Sequence, residues 1–227
     1  MAGERSRPRG RVRGIARDYL LAGRWRAAAL RPAVVPEGWA GGHRRPVLLI
    51  PGVWEPWQFL RPLGERLSAS GHPVHVVTAI RHNSAPVPVV AGLVAEYLAE
   101  HDLRDVVVVA HSKGGLIGKR LLLDDEAGPR IARVVAIATP FSGSVRAELM
   151  LSPALREFRP GHSTIRELAE RPDVDGRIVS IFGDYDFHVP AGSAVEGAVN
   201  VRVPRIGHFG VLVDDEVTAA VLEAVDG

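Results

Sequence analysis

The sequence contains no cysteine. That excludes disulfides and any thiolate-held metal, and it fits a reducing compartment. No apolar run approaches the ~20 residues of a membrane-spanning helix. The N-terminus is basic but lacks the apolar core of a secretory signal, so a cytoplasmic location is expected, with peripheral membrane contact as its one refinement. There is no internal repeat, which argues against solenoids and propellers. Lysine is nearly missing: Lys113 and Lys119 stand against 26 arginines.

What is present points to one sizeable domain. The chain has 227 residues, 46% of them hydrophobic, enough for a single core. Charge is unevenly placed. Residues 1–32 carry nine arginines against Glu4 and Asp18, a charge of +7, and since the whole chain is +2 the remainder is −5. Within this segment Val12, Ile15, Ala16, Tyr19 and Leu20 recur at helical spacing, with Arg11, Arg13 and Arg17 on other faces. The pattern predicts a basic helical extension over 1–32, either folded back on the domain or lying on an anionic membrane surface, and serving surface binding, not catalysis. Nucleic-acid binding is not expected, because the rest of the chain is acidic on balance.

From residue 46 apolar runs alternate with helical patterns. "PVLLIPG", "PVHVVTA", "DVVVVA", "RIARVVAIATP", "GRIVSIFG" and "AVNVRVP" read as strands. "QFLRPLGERLSAS", "VPVVAGLVAEYLAEHD", "GLIGKRLLLDDE" and "DDEVTAAVLEAV" read as helices. The fold class is therefore α/β, with a mostly parallel sheet of about six strands flanked by helices. The strands are continuous apolar runs, as expected for parallel strands buried on both faces. Residues of about 140–175, with Pro140, Pro153, Pro160 and Pro172, are too long for a plain connection and predict an inserted cap on the domain spanning 33–227.

Chemistry enters at "VVVVAHSKGG", residues 106–115. In a parallel sheet, ligands bind at the carboxyl ends of strands. Ser112 falls at that end, at a strand-to-helix turn, with Ala110, Gly114 and Gly115 small enough for a tight turn. This is the layout of a nucleophile elbow, with alanine replacing the first glycine of G-x-S-x-G. A serine nucleophile needs a base and an orienting acid, here expected in the order Ser, acid, His after successive strands. "GDYDFHVP" supplies Asp184 and Asp186, and "RIGHFGVL" supplies His208.

These motifs resemble those of the α/β-hydrolase superfamily, and within it the small bacterial lipases and esterases. "AHSKGG" (110–115), "TPFSGS" (139–144), "LREFRPGHSTIREL" (155–168) and "GDYDFHVP" (183–190) carry the resemblance, which covers 46–227. It implies a serine hydrolase acting on carboxylic esters, with Ser112, Asp186 and His208 as triad and no cofactor or metal. Asp186 is preferred to Asp184 because it matches the acid of G-x-x-D-x-x-V-P. The resemblance places an oxyanion loop at "IPGVWEPW" (50–57), with the backbone N–H groups of Val53 and Lys113 as donors. The family's histidine before the loop glycine is Pro51 here. Trp54, Trp57 and Phe141 are the expected substrate-binding residues, and His111, beside the nucleophile, is expected to be structural. The expected partner is a small-molecule or lipid ester. Acyl transfer or amide hydrolysis on the same triad is the alternative within enzymes. A non-catalytic membrane-associated binding module is the alternative outside them, disfavoured by the intact Ser, Asp, His order.

Overall fold

The computed structural model describes residues 8–29 and 34–227. Among them, six strands form one all-parallel sheet: β1 (Val47–Ile50), β2 (Val74–Val76), β3 (Val106–His111), β4 (Ile131–Ile137), β5 (Ile178–Tyr185) and β6 (Val199–Ile206), in the order β2-β1-β3-β4-β5-β6. The order reverses direction between β1 and β3, so the loops leaving these two strands part to opposite sides and open a crevice at their carboxyl ends.

Period-two alternation divides the core into two layers. Leu48, Ile50, Val106, Val108, Ala110, Val134 and Ala136 face a layer built on α3 (Val87–Glu100) and α4 (Lys113–Leu122). Val47, Leu49, Val107, Val109, Val135 and Ile137 face the opposite layer, which holds α2 (Arg61–Ala69) and α7 (Asp215–Asp226). Strands β1 and β3 are buried throughout, as the apolar runs predict. β6 differs: most of its residues are exposed or half-buried, and among the described residues β5 is its only strand neighbour.

Residues 140–177 connect β4 to β5 through short helices: a 3₁₀ turn at 145–149, α5 (Pro153–Arg156), α6 (Ser163–Ala169) and a 3₁₀ stretch at 172–177. Phe158, Ile165 and Leu168 root this segment in the α3/α4 layer, while Leu149 and Leu151 stand out in solvent.

The N-terminal helix α1 (Pro8–Ala29) lies against the domain. At Gly14 it passes so close to β6 that a Cβ would sit 2.8 Å from Ile206 Cγ2. Its apolar residues are divided between protein and solvent. Asp18 and Ala22 are buried and Trp25 is half-buried, whereas Val12 and Leu20 are each 67% exposed. Part of the apolar stripe thus faces water, Ile15 is half-buried, and a carboxylate faces the protein. Arg5, Arg7 and Arg31 of the predicted basic extension lie outside the described residues. No helix among the described residues is long and apolar enough to cross a membrane.

Helix α4 starts unusually close to the sheet. A Cβ on Gly114 would lie 2.3 Å from the carbonyl oxygen of Ile50, and one on Gly115 would lie 2.1 Å from Thr139 Oγ1. Gly114→Ala should therefore lower stability by about 1–3 kcal/mol or more, since neither backbone can retreat without moving a strand end. Gly161→Ala, at a site with nothing within 4 Å, should stay within about 0.5 kcal/mol of the parent. Urea unfolding of both variants measures the contrast.

Candidate functional site

Ser112 closes β3 and opens α4 with φ 50° and ψ −116°, a conformation that L residues rarely adopt. Such strain costs on the order of 1–3 kcal/mol and must be imposed by the surroundings. Here the surroundings are a hydrogen bond from Ser112 N–H to the carbonyl oxygen of Ile137, 2.8 Å, and the clamp of Gly114 and Gly115 against β1 and Thr139.

The flanking residues are anchored in opposite directions. Lys113 sends its side chain into the α3/α4 layer, where it is fully buried. Its ammonium donates to the carbonyl oxygens of Ala85 and Asn83 and lies 3.5 Å from Glu157 Oε2 in the β4–β5 connection. Burial pushes this lysine down from its ordinary value, and Glu157 opposes the shift. Glu157 Oε1 in turn accepts from Val87 N–H at 2.8 Å and from the Thr164 hydroxyl at 3.3 Å. On the other side His111 is also fully buried. Its Nδ1 faces Glu55 Oε2 at 2.8 Å, and its Nε2 donates to the carbonyl oxygen of His208 at 2.9 Å. Glu55 Oε2 also accepts from Gly52 N–H at 2.7 Å. His111 therefore ties the loop after β1 to the loop after β6.

The loops after β5 and β6 bring Asp186 and His208 together. Asp186 Oδ2 lies 2.6 Å from His208 Nδ1, and both side chains are buried. Asp186 Oδ1 accepts from the backbone N–H groups of His188 (2.7 Å) and Val189 (3.2 Å), which fixes the carboxylate. Asp184 is elsewhere: it is half exposed and pairs with Arg202 at 2.7 Å. Burial alone would lower the pKa of His208, but the charge and hydrogen bond of Asp186, aided by Glu55 and Asp18, raise it above 6.5. Burial alone would raise the Asp186 carboxyl, and His208 and the His188 amide bring it below its ordinary value. His188 stacks on His208 with ring centroids 4.6 Å apart. It lacks that carboxylate contact, and burial with the neighbouring His208 drops its pKa to about 3.

Ser112, His208, Val53 and Trp54 line one cavity of about 440 Å³. Its other walls include Tyr19 and Ala22 from α1, Met150, Leu155 and Phe158 from the β4–β5 connection, and Phe187 and Phe209. Arg26 and Arg146 stand at the same cavity, and Arg146 lies over the Phe187 ring, 3.7 Å from its centroid. The N–H groups of Val53 and Lys113 have no hydrogen-bond acceptor among the described residues. Of the expected substrate-binding residues, Trp54 lines the cavity. Trp57 instead packs edge-to-face on Trp39 in the α2/α7 layer, and Phe141 is buried in the α3/α4 core; neither lines the cavity. Trp57 opens a 3₁₀ turn and its ring is buried, while Trp54, at φ 58°, sits on the turn before it. No group of three or more histidine and carboxylate side chains among the described residues is arranged to hold a metal ion.

No family model and no curated protein matches the sequence. Solved structures do match. The mature form of the Bacillus licheniformis lipase BlEst2 is similar over 87% of this chain and 96% of its own, with a TM-score of 0.66 and 15% identity. The enol-lactonase of Burkholderia xenovorans LB400 is similar over 82% of this chain and 93% of its own, with a TM-score of 0.58 and 16% identity. Aspergillus fumigatus lipase B is similar over 86% of this chain and 55% of its own, with a TM-score of 0.70 and 18% identity. The chain has the α/β-hydrolase fold.

Two carboxylates at this site escaped the sequence reading. Glu55 sits three residues beyond a loop glycine, and nothing in "PGVWEPW" marks it as buried. Asp18 lies in an arginine-rich helix, where a lone acid reads as a solvated counter-charge. In the structure it is buried under the loop that carries His208. Within the α/β-hydrolase fold these acids, with Asp186, surround one histidine. Imidazole NMR should therefore find two stacked rings titrating far apart, His208 above pH 6.5 and His188 near 3. The signs differ for stability as well. The contribution of His208 is complete below pH 6.5 and is lost as pH rises through its raised folded value. That of neutral His188 is lost as pH falls from 6.5 toward 3. Two rings titrating together near 6.5 would contradict this geometry.

Proposed function

We propose that the chain is a serine hydrolase cleaving carboxylic esters, of the lipase and esterase kind, through Ser112, His208 and Asp186. One observation carries the reading. A strained serine at a strand-to-helix turn shares a cavity with a histidine whose far nitrogen is held 2.6 Å from a buried carboxylate. That is the constellation acyl transfer to water requires.

In this reading His208 Nε2 takes the Ser112 proton as Oγ attacks the acyl carbonyl. Asp186 fixes the tautomer and stabilises the imidazolium. The free amides of Val53 and Lys113 receive the oxyanion, the second at a helix N-terminus. His208 returns the proton to the departing alcohol oxygen. Water, deprotonated by the same imidazole, then cleaves the acyl-enzyme, and the proton passes back to Ser112. An oxyanion donor of this type is typically worth about 3 kcal/mol in the transition state.

The apolar walls from Ala22, Met150, Leu155, Phe158 and Phe209 support an acyl chain as the occupant. The surroundings support an ester presented at an anionic lipid surface. Tyr19 and Met150 line the cavity and are also exposed, and Leu20, Leu149 and Leu151 next to them in sequence are 67–86% exposed. Arg26 of α1 stands at the same cavity, a basic neighbour of the kind found on helices that lie in a membrane interface.

Ser112→Ala should abolish ester hydrolysis and labelling by a fluorophosphonate. Asp186→Asn should lower turnover by about 10⁴ in folded protein, while Asp184→Asn, which breaks a surface pair only, should stay within a few-fold of the parent. Activity for all three is read with p-nitrophenyl esters. Unlabelled, folded wild-type protein would point to a binding module instead.

The reaction needs neutral His208, so kcat/KM should fall as pH drops through the histidine's raised value, with the acid limb centred above pH 6.5. An acyl series should favour medium chains over acetate; a specificity constant highest for acetate would contradict the apolar cavity as the acyl site.

A further inference from the structure

The loop carrying His208 leaves the free edge of the sheet, after a strand paired on one side only. Its backbone amides are not left to solvent. Asp18, 190 residues earlier and midway along α1, points its carboxylate into the loop. Oδ2 accepts from His208 N–H at 2.8 Å, and Oδ1 accepts from Phe209 N–H at 2.9 Å and Gly210 N–H at 2.6 Å. Three consecutive amides converging on one anion form a backbone nest. The chain is shaped for this contact. Gly207 has φ +127°, and a Cβ there would lie 2.5 Å from Asp18 Oδ1. Around the carboxylate, Ala22 packs with Phe59 and Phe209, and Trp25 meets Phe59 edge-to-face with centroids 5.3 Å apart.

We infer that Asp18 is a positioning residue for His208, so that the N-terminal helix completes the active site as well as lining its cavity. The inference rests on His208 being the general base. Side-chain contacts fix the ring: Asp186 holds Nδ1, and the rings of His111 and His188 lie 4.8 and 4.6 Å away. They do not fix the peptide from which the ring hangs. That peptide is held by His111 at the His208 carbonyl and by Asp18 at the His208 amide. Charged hydrogen bonds to a carboxylate are the stronger kind, and a displacement of about 1 Å at a catalytic group can cost on the order of a hundredfold in rate. This departs from the sequence-based expectation that residues 1–32 stand apart from catalysis.

The groups facing the His208 ring are Asp186 from the β5 loop, Glu55 from the β1 loop, Asp18 from α1, and the imidazoles of His111 and His188. Removing the charge of Asp18 therefore withdraws one of three carboxylates that favour the imidazolium, and the His208 titration should move to lower pH.

The test uses the full chain and Asp18→Asn, which keeps the shape and loses the charge. Expected are a loss of roughly ten- to a hundredfold in kcat/KM for a soluble p-nitrophenyl ester, mostly in kcat, and a downward shift of both the acid limb and the His208 NMR titration. In the unaltered chain the amides of 208–210 should be protected from hydrogen exchange. A folded Asp18→Asn protein with unchanged rate and unchanged His208 titration would overturn the inference. So would free exchange of the three amides in the unaltered chain, whatever the variants do. If Asp18→Asn does not fold, Asp18→Ser, whose hydroxyl can accept one of the three bonds, takes its place in the same measurements. An unaltered chain that hydrolyses no ester and takes no fluorophosphonate would remove the reading of the site instead; the ring titration and amide exchange would still decide whether Asp18 governs the loop.

Discussion

The close approach of α4 to the ends of β1 and β4 is the constraint on which the rest of the site depends. Gly114 lies over the Ile50 carbonyl and Gly115 against Thr139, with no room for a Cβ on either. Only with the helix seated that deeply is the turn before it short enough to force Ser112 into its strained backbone. The strain is a property of the sheet and helix together, held by two fully buried layers. Alanine at 110, in place of the usual glycine, is tolerated because that position belongs to the strand, buried at a point where a methyl fits.

The neighbours of Ser112 then carry the constraint outward. Lys113 reaches into one layer toward Glu157, and His111 reaches toward Glu55 and the His208 carbonyl. A single strand end thereby fixes the β4–β5 connection, the loop after β1 and the loop after β6. Buried charges so placed cost desolvation and are retained where they are paired. Here their geometry specifies three loops, which apolar contacts alone would leave free to slide.

Much of this was legible in the sequence. Apolar runs of four to six residues, ended by Pro-Gly or by small residues, mark β1 and β3, because a strand buried on both faces leaves no polar positions. The elbow is legible because its glycines are required by close contact with the Ile50 carbonyl and the Thr139 side chain. Asp186 is separable from Asp184 by the spacing to Val189 and Pro190, and the two carboxylates do sit in different places. What the sequence hides is long-range pairing. Glu55 and Asp18 become buried through partners 56 and 190 residues away, and no local pattern encodes that. The apolar spacing of α1 did not reveal its docked face, since helix amphipathicity assumes that apolar residues face the protein, and here the contact joins Ala22 and Trp25 to a carboxylate in a nest of amides. Trp57 and Phe141 were misplaced for a related reason: a sequence gives the type of side chain beside a loop, not the side of the backbone from which it leaves.

The bond between residue 18 and residues 208–210 also bears on the order in which the molecule is built. Contacts of such sequence separation form late, because the chain entropy of closing so long a loop is lost before the contact is gained. Helix α1 can meet Phe59 through Ala22 and Trp25, but the donors that hold Asp18 are absent until residue 210 has been made. Until then its carboxylate is solvated. The core of the sheet can be seated strand by strand, from β1 to β5, with the histidine loop still unanchored. The seal between Asp18 and the histidine loop is then a late contact, made after the strands on which that loop rests.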